Sequence, residues 1–166
     1  SEVLVREAIE TDAQALANLL SQVLTETDYI TKDSLALSAS EMAAYLRHNQ
    51  LLSNQICLVL TMEDKLIGLL NVAAEKGQIG DIFLAVAKEY WGYGLGSLLL
   101  DVCIDWAEHT DEIEQLKLTV QTRNERAIHL YRKFGFEIEG TQITGAKTKN
   151  GERLSVYRMA RQIGEI

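Results

Sequence analysis

VAKEYWGYGLGSLLL, residues 86–100, changes character at its centre. Its first half closes an apolar stretch, QIGDIFLAVAKE at 78–89, that reads as a strand. Its second half opens a helix to about His109, with an apolar stripe of Leu95, Leu98, Leu99, Val102, Cys103, Trp106 and Ala107. Gly92, Gly94 and Gly96 stand at the junction. Glycines between a strand and a helix let the backbone come close to a ligand. They also leave the first-turn N–H groups free, and the helix dipole makes that end an anion site. A pyrophosphate is the natural occupant. A P-loop would need a lysine after the glycines, and none follows. A dinucleotide fingerprint counted from Gly92 and Gly94 would need a third glycine where Ser97 stands. A plain strand-to-helix turn accounts for the same residues, so the glycines alone do not decide for a ligand.

Outward from this junction the period alternates. VLVREA at 3–8 predicts a strand, and Thr11 to Gln14 reads as a capping box before Leu16, Leu19, Leu20, Val23 and Leu24 at helical spacing. Residues 25–39 are polar and aperiodic, which predicts a loop. Ser38 to Glu41 is a second capping box, opening a helix to about Leu52. QICLVLTME at 55–63 and KLIGLLNVAAE at 65–75 predict strands around a turn near Asp64; with 78–89 they form an antiparallel meander. QLKLTVQT at 115–122 predicts a further strand. Asn124 caps a helix with Ala127, Ile128, Tyr131 and Phe134 inward, ended by Gly135. Two strands near 136–146 and 153–161 suggest a hairpin at Asn150-Gly151. The order β-α-α-β-β-β-α-β-α-β-β predicts an α/β (α+β) fold. It is a single domain over 1–166, with one mixed, mostly antiparallel sheet flanked by helices.

The composition narrows the function classes. The 166 residues carry a net charge of −8, unevenly spread: 6 basic and 19 acidic side chains over 1–116, against 10 and 5 over 117–166. The acidity argues against nucleic acid as a partner, while the basic last third suits a small polyanion. No apolar run nears the roughly 20 residues of a membrane span, and the start of the chain has no signal-peptide pattern, so no membrane association and a cytoplasmic protein are expected. Cys57 and Cys103 lie in apolar runs without metal spacing, and read as buried thiols. His48, His109 and His129 have no partners at metal spacing and read as helix-surface residues; no metal is expected.

Residues 120–136, VQTRNERAIHLYRKFGF, taken with 86–100, resemble the two signature motifs of the GNAT N-acetyltransferase superfamily. The matching positions are Gly94, Gly96, Asn124, Ala127, Tyr131, Gly135 and Phe136. The chain departs from the pattern at Trp91, where the family has Gln or Arg near the pyrophosphate, and at Tyr93, where it often has a basic residue. The resemblance implies a transferase that moves the acetyl group of acetyl-CoA directly to a primary amine of a small molecule or a peptide N-terminus. A non-catalytic coenzyme-A sensor or accessory domain on the same fold is the alternative. It further implies that backbone N–H groups of Leu84, Ala85 and Val86 bind coenzyme and thioester. The loop Trp91, Gly92, Tyr93, Gly94, Leu95, Gly96 and Ser97 would hold the pyrophosphate, beside Asn124 and Ala127. Tyr131 would protonate the leaving thiolate, and Asp81 would serve as base. Water can also take the amine's proton, and a strand-edge role explains Asp81 equally simply; Tyr131 has the spacing of a core residue too, but the two motifs together favour the acid role. Arg126, Arg132 and Lys133 are candidates for the adenosine phosphates. Glu26 and Asp28 are candidates for holding a cationic acceptor. Members often form dimers, so a homodimer is implied.

Overall fold

The computed structural model describes residues 2–31 and 37–164, and its element order is the one expected. In chain order these are β1 (Val3–Glu7), α1 (Ala13–Glu26), α2 (Ala39–Asn49), β2 (Ile56–Met62), β3 (Lys65–Glu75), β4 (Ile79–Val86), α3 (Leu95–His109), β5 (Gln115–Gln121), α4 (Glu125–Lys133), β6 (Glu137–Lys147) and β7 (Arg153–Gln162). Short 3-10 turns at Glu10–Asp12 and Lys88–Tyr90 precede α1 and follow β4. The expected loop at 25–39 lies partly outside the described residues, and its first two residues continue α1.

The seven strands form one sheet in the order β1-β2-β3-β4-β5-β7-β6. Every neighbouring pair is antiparallel except β4 and β5. Left-handed Glu63 and Asp64 turn β2 into β3, and Gly77 and Gln78 turn β3 into β4, as tight hairpins require. Two cores line the sheet. Leu99, Leu100 and Cys103 of α3 and Ile128 and Tyr131 of α4 pack on one face with Leu70, Ile82 and Leu116. Leu16, Leu19 and Leu20 of α1 and Met42 and Leu46 of α2 pack on the other with Val59, Leu69 and Ala85.

Two local expectations are corrected. The cap of α1 is not Thr11 with Gln14. The Asp12 carboxylate accepts the Ile9 N–H at 2.8 Å and is gripped by both Arg6 guanidinium nitrogens, at 2.8 and 2.9 Å. Gln14 instead bonds Asn18. The buried stripe of α3 includes Leu100 and Ile104, while Leu98 and Val102 are exposed. Ser97, Asp101, Asp105 and Glu108 form its polar stripe; Leu98 and Val102 flank that stripe, where apolar type alone does not mark the edge of the buried face.

The feature that positions the site is where β4 and β5 stop pairing. Their ladder covers only Ile79, Gly80 and Asp81 against Gln115, Leu116 and Lys117. β3 follows β4 as far as Val86. From Ile82 onward β4 therefore has one paired edge and one edge facing a gap in the sheet.

Candidate functional site

The direction of each β4 amide follows from the register. Ala87 N–H donates to the Ile67 carbonyl at 2.8 Å, and the β3–β4 ladder continues unbroken behind it. Amides alternate along a strand, so Phe83 and Ala85 turn toward β3, and Leu84 and Val86 turn toward the gap. Of the three residues expected to offer N–H groups, Leu84 and Val86 can do so; the Ala85 N–H belongs to the ladder.

A cleft of about 260 Å³ opens at this parting. Leu84 and Val86, Leu130 and Tyr131 line it from the α3–α4 face, and Ala85, Thr27, Tyr29 and Ile30 line it from the α1 face. It therefore runs through the sheet, open to a different group of residues on each side. Trp91, Gly92, Gly94, Leu95, Gly96, Ser97, Asn124, Arg126 and Ala127 complete the α3–α4 side. Gly92 and Gly94 have φ of 89° and 75°, a region that side chains rarely adopt, and a Cβ on either would meet no protein atom within 4 Å. The space beside them is open. Gly94 caps α3 without a side chain, so the first-turn N–H groups stay available at the cleft. A Cβ on Gly96 would come 3.1 Å from a Leu130 methyl carbon, so its smallness serves the approach of α4 to α3.

Tyr131 is buried, and its ring meets Phe136 edge-on at 6.0 Å. Among the described residues its hydroxyl has no hydrogen-bond partner, although it sits on the cleft wall. Burial pushes its pKa well above the ordinary tyrosine value, so it stays protonated. Trp91 donates its indole N–H to the Val86 carbonyl at 2.7 Å, and the Arg126 guanidinium lies 5.9 Å from its ring centre. Asn124 caps α4 by accepting the Ala127 N–H at 3.3 Å.

Other expected residues lie elsewhere. Asp81 sits where β4 is still paired on both sides, and it does not line the cleft. Tyr93 is exposed and also outside the lining. Lys133, at the far end of α4, borders a separate depression with Asp101, Asp105 and Glu108. Glu26 accepts the Lys88 N–H at 2.9 Å, and Asp28 offers its backbone carbonyl to Gln121 at 2.6 Å. Together with Arg123 stacked 5.5 Å from the Tyr29 ring centre, these bonds pin the segment carrying Thr27, Tyr29 and Ile30 to the sheet. In this segment Thr27, Tyr29 and Ile30 line the cleft, and the carboxylates of Glu26 and Asp28 do not. Tyr29, Ile30, Tyr90 and Leu130 were missed; the apolar pair Tyr29-Ile30 in a polar stretch was the available signal. Among the described residues no His/Cys/Asp/Glu group could hold a metal. No described helix is long and apolar enough to cross a membrane. Cys57 and Cys103 are free and buried, and burial pushes both thiols up to about 12.

The sequence pattern of the acetyltransferase (GNAT) family matches residues 20–136. The L-amino acid N-acetyltransferase AaaT of Escherichia coli is 31% identical over 108 residues, which are 63% of this chain and 66% of that protein. The chain thus spans just under two thirds of that relative's length. The crystal structure of a GNAT-family acetyltransferase from Streptococcus pneumoniae is 41% identical, covers 98% of this chain and 100% of its own, and superposes with a TM-score of 0.92. The structure of yncA from Salmonella typhimurium with its cofactor acetyl-CoA, 21% identical, covers 100% and 96% with a TM-score of 0.86, a likeness of fold.

Proposed function

The chain belongs to the acetyltransferase (GNAT) family, and we propose on that premise that residues 1–166 act as one acetyl-CoA-dependent domain that acetylates a primary amine of a small molecule or peptide. The observation that carries the catalytic reading is the Tyr131 hydroxyl. It is a protonated donor on the cleft wall with no partner of its own among the described residues.

Acetyl-CoA supplies an activated acyl group as a thioester. The chain's own residues bind and orient it. Leu84 and Val86 offer N–H groups along a free strand edge, which suits an extended amide-bearing arm added like a strand. The α3 N-terminus and its glycine turn suit a diphosphate. Tyr131 donates its proton to the sulfur as the thioester bond breaks. The amine enters from the side of Thr27, Tyr29, Ile30 and Tyr90. No carboxylate or histidine lines the cleft among the described residues, so the amine proton passes to water. Expectation of a cationic acceptor rested on Glu26 and Asp28, whose carboxylates are not in the lining. The apolar and aromatic mouth fits an amine with an apolar neighbouring group. Free Cys57 and Cys103 suit a reducing, cytoplasmic compartment.

The test is thiol release from acetyl-CoA with a panel of primary amines, read beside acetyl-CoA affinity by calorimetry. Turnover with at least one amine supports the transferase. Tight binding with no turnover on any amine of the panel would favour the accessory-domain alternative.

A further inference from the structure

The glycine turn of this chain, Trp91 to Ser97, carries no basic side chain. Helix N–H groups hold a diphosphate through partial charges; a full cation beside them adds to that attraction, and the structure shows where one is available. Arg126, in the first turn of α4, lines the same cleft wall as Gly92, Gly94 and Ser97. It is exposed, and among the described residues it forms no ion pair and no side-chain hydrogen bond. Its guanidinium lies over the face of Trp91, whose ring is itself held by the indole bond to the Val86 carbonyl. Arg123, three residues earlier and just before α4, is by contrast committed to Gln121 and Tyr29. Lys133 lies in another depression beside three carboxylates.

We propose that Arg126, positioned on the Trp91 ring, is the cation that clamps the coenzyme diphosphate against the α3 N-terminus, so that Trp91 aims a charge from α4 rather than supplying one from the loop. This rests on the coenzyme reading above. An arginine suits the task, because its planar guanidinium stacks on an aromatic face while its edge N–H groups remain free for phosphate oxygens. Trp91 is then a positioning residue.

Calorimetry with three probes separates the cases: coenzyme A, dephospho-coenzyme A and pantetheine, which carries no phosphate. Arg126→Gln should weaken the first two by the same factor, about tenfold, and leave pantetheine unchanged. Arg126→Lys should recover part of the loss. Trp91→Leu should weaken coenzyme A binding in the wild type and add nothing in the Arg126→Gln background. Wild-type affinity for coenzyme A should fall with salt more steeply than that of Arg126→Gln. A loss confined to coenzyme A would mean that Arg126 reads the 3′-phosphate, and would overturn the proposal. So would an equal loss for pantetheine, or unchanged affinity in a folded Arg126→Gln protein. Additive losses in the double variant would remove Trp91 from it. A wild-type protein that binds none of the three probes would instead sink the coenzyme reading itself, and this assignment with it.

Discussion

Tyr131 is where the two readings of one residue make different measurable claims. Its ring is core, packed edge-on against Phe136, and its hydroxyl is on the cleft wall. Tyr131→Phe keeps the first and removes the second. Single-turnover acetyl transfer should fall by about 10²–10⁴, the usual contribution of a positioned general acid. Acetyl-CoA affinity should change little. A folded Phe variant with full single-turnover rate would return the residue to the core alone. Because burial raises the Tyr131 pKa, its loss of a proton should cause no fall in rate below about pH 10, the ordinary tyrosine value. The rate should instead rise with pH as the amine deprotonates. At Gly94, a methyl would meet no protein atom but would be forced to φ 75°. Gly94→Ala should therefore cost about 1 kcal/mol of stability and weaken acetyl-CoA binding in calorimetry; unchanged binding would remove this turn from the site. Tyr131 and the glycines were legible because their spacing carries a motif. Arg126 stood out less than Lys133 in the sequence, because a helix end says nothing about which basic residue faces a cleft formed by another helix. Asp81 is the last residue of β4 paired with β5, at a parting that only the sheet reveals.

The entry to α1 shows how an element can be found while its cause is missed. Thr11-x-x-Gln14 has the form of a capping box, yet Asp12 does the capping through Ile9 and ties the turn to β1 through Arg6. A bidentate pair six residues apart, from β1 across the turn, follows no local capping pattern that can be read. The Arg6 hydrogen bonds hold the Asp12 pKa below the ordinary aspartate value, and the Ile9 N–H adds to this. The folded state therefore gains stability from ionised Asp12 above about pH 3.9, the unfolded value. That gain is lost as pH falls through the lower folded value. Asp12→Asn should cost about 1 kcal/mol at pH 7, a modest figure because Arg6 is 44% exposed. The difference between variant and wild type in urea unfolding should shrink as pH falls through the acid range below about 3.9. A gap that persists there would mean that the side chain acts by packing and not by charge. The Ser38 to Glu41 box, by contrast, is present as expected, with both of its reciprocal bonds. Its parts are all within four residues, which is why it could be read.

At the scale of the molecule, element order was legible because each switch of period is marked by a cap, a glycine or a tight turn. The strand order was not, since the parallel contact of β4 and β5 joins segments separated by the whole of α3. That contact divides the sheet into β1–β4 and β5–β7, held across it by three residue pairs and by the α3–α4 core. The gap beyond is the candidate site, and on the proposed reading the fold makes a ligand-binding edge by withholding pairing from one strand. This has a direct consequence for amide hydrogen exchange. Phe83 and Ala85 turn their N–H groups to β3 and should be protected without ligand. Leu84 and Val86 turn theirs to the gap and should exchange fast. Saturating acetyl-CoA should slow Leu84 and Val86 by at least about tenfold if the coenzyme adds as a strand to this edge. Ligand binding also stabilises the whole fold, by about 2.7 kcal/mol at a hundredfold excess over Kd, and so slows amides that exchange only by global unfolding. The solvent-exposed edge strand β6, which takes part in neither the cleft nor β4, is the control: its amides exchange by local opening and should not respond. Alternation of the response along four consecutive residues is the signature, because general stabilisation has no reason to follow a period of two. If Leu84 and Val86 are already as protected as their neighbours, or if all four slow together, the free-edge account fails, and the coenzyme must be held by the glycine turn and side chains alone.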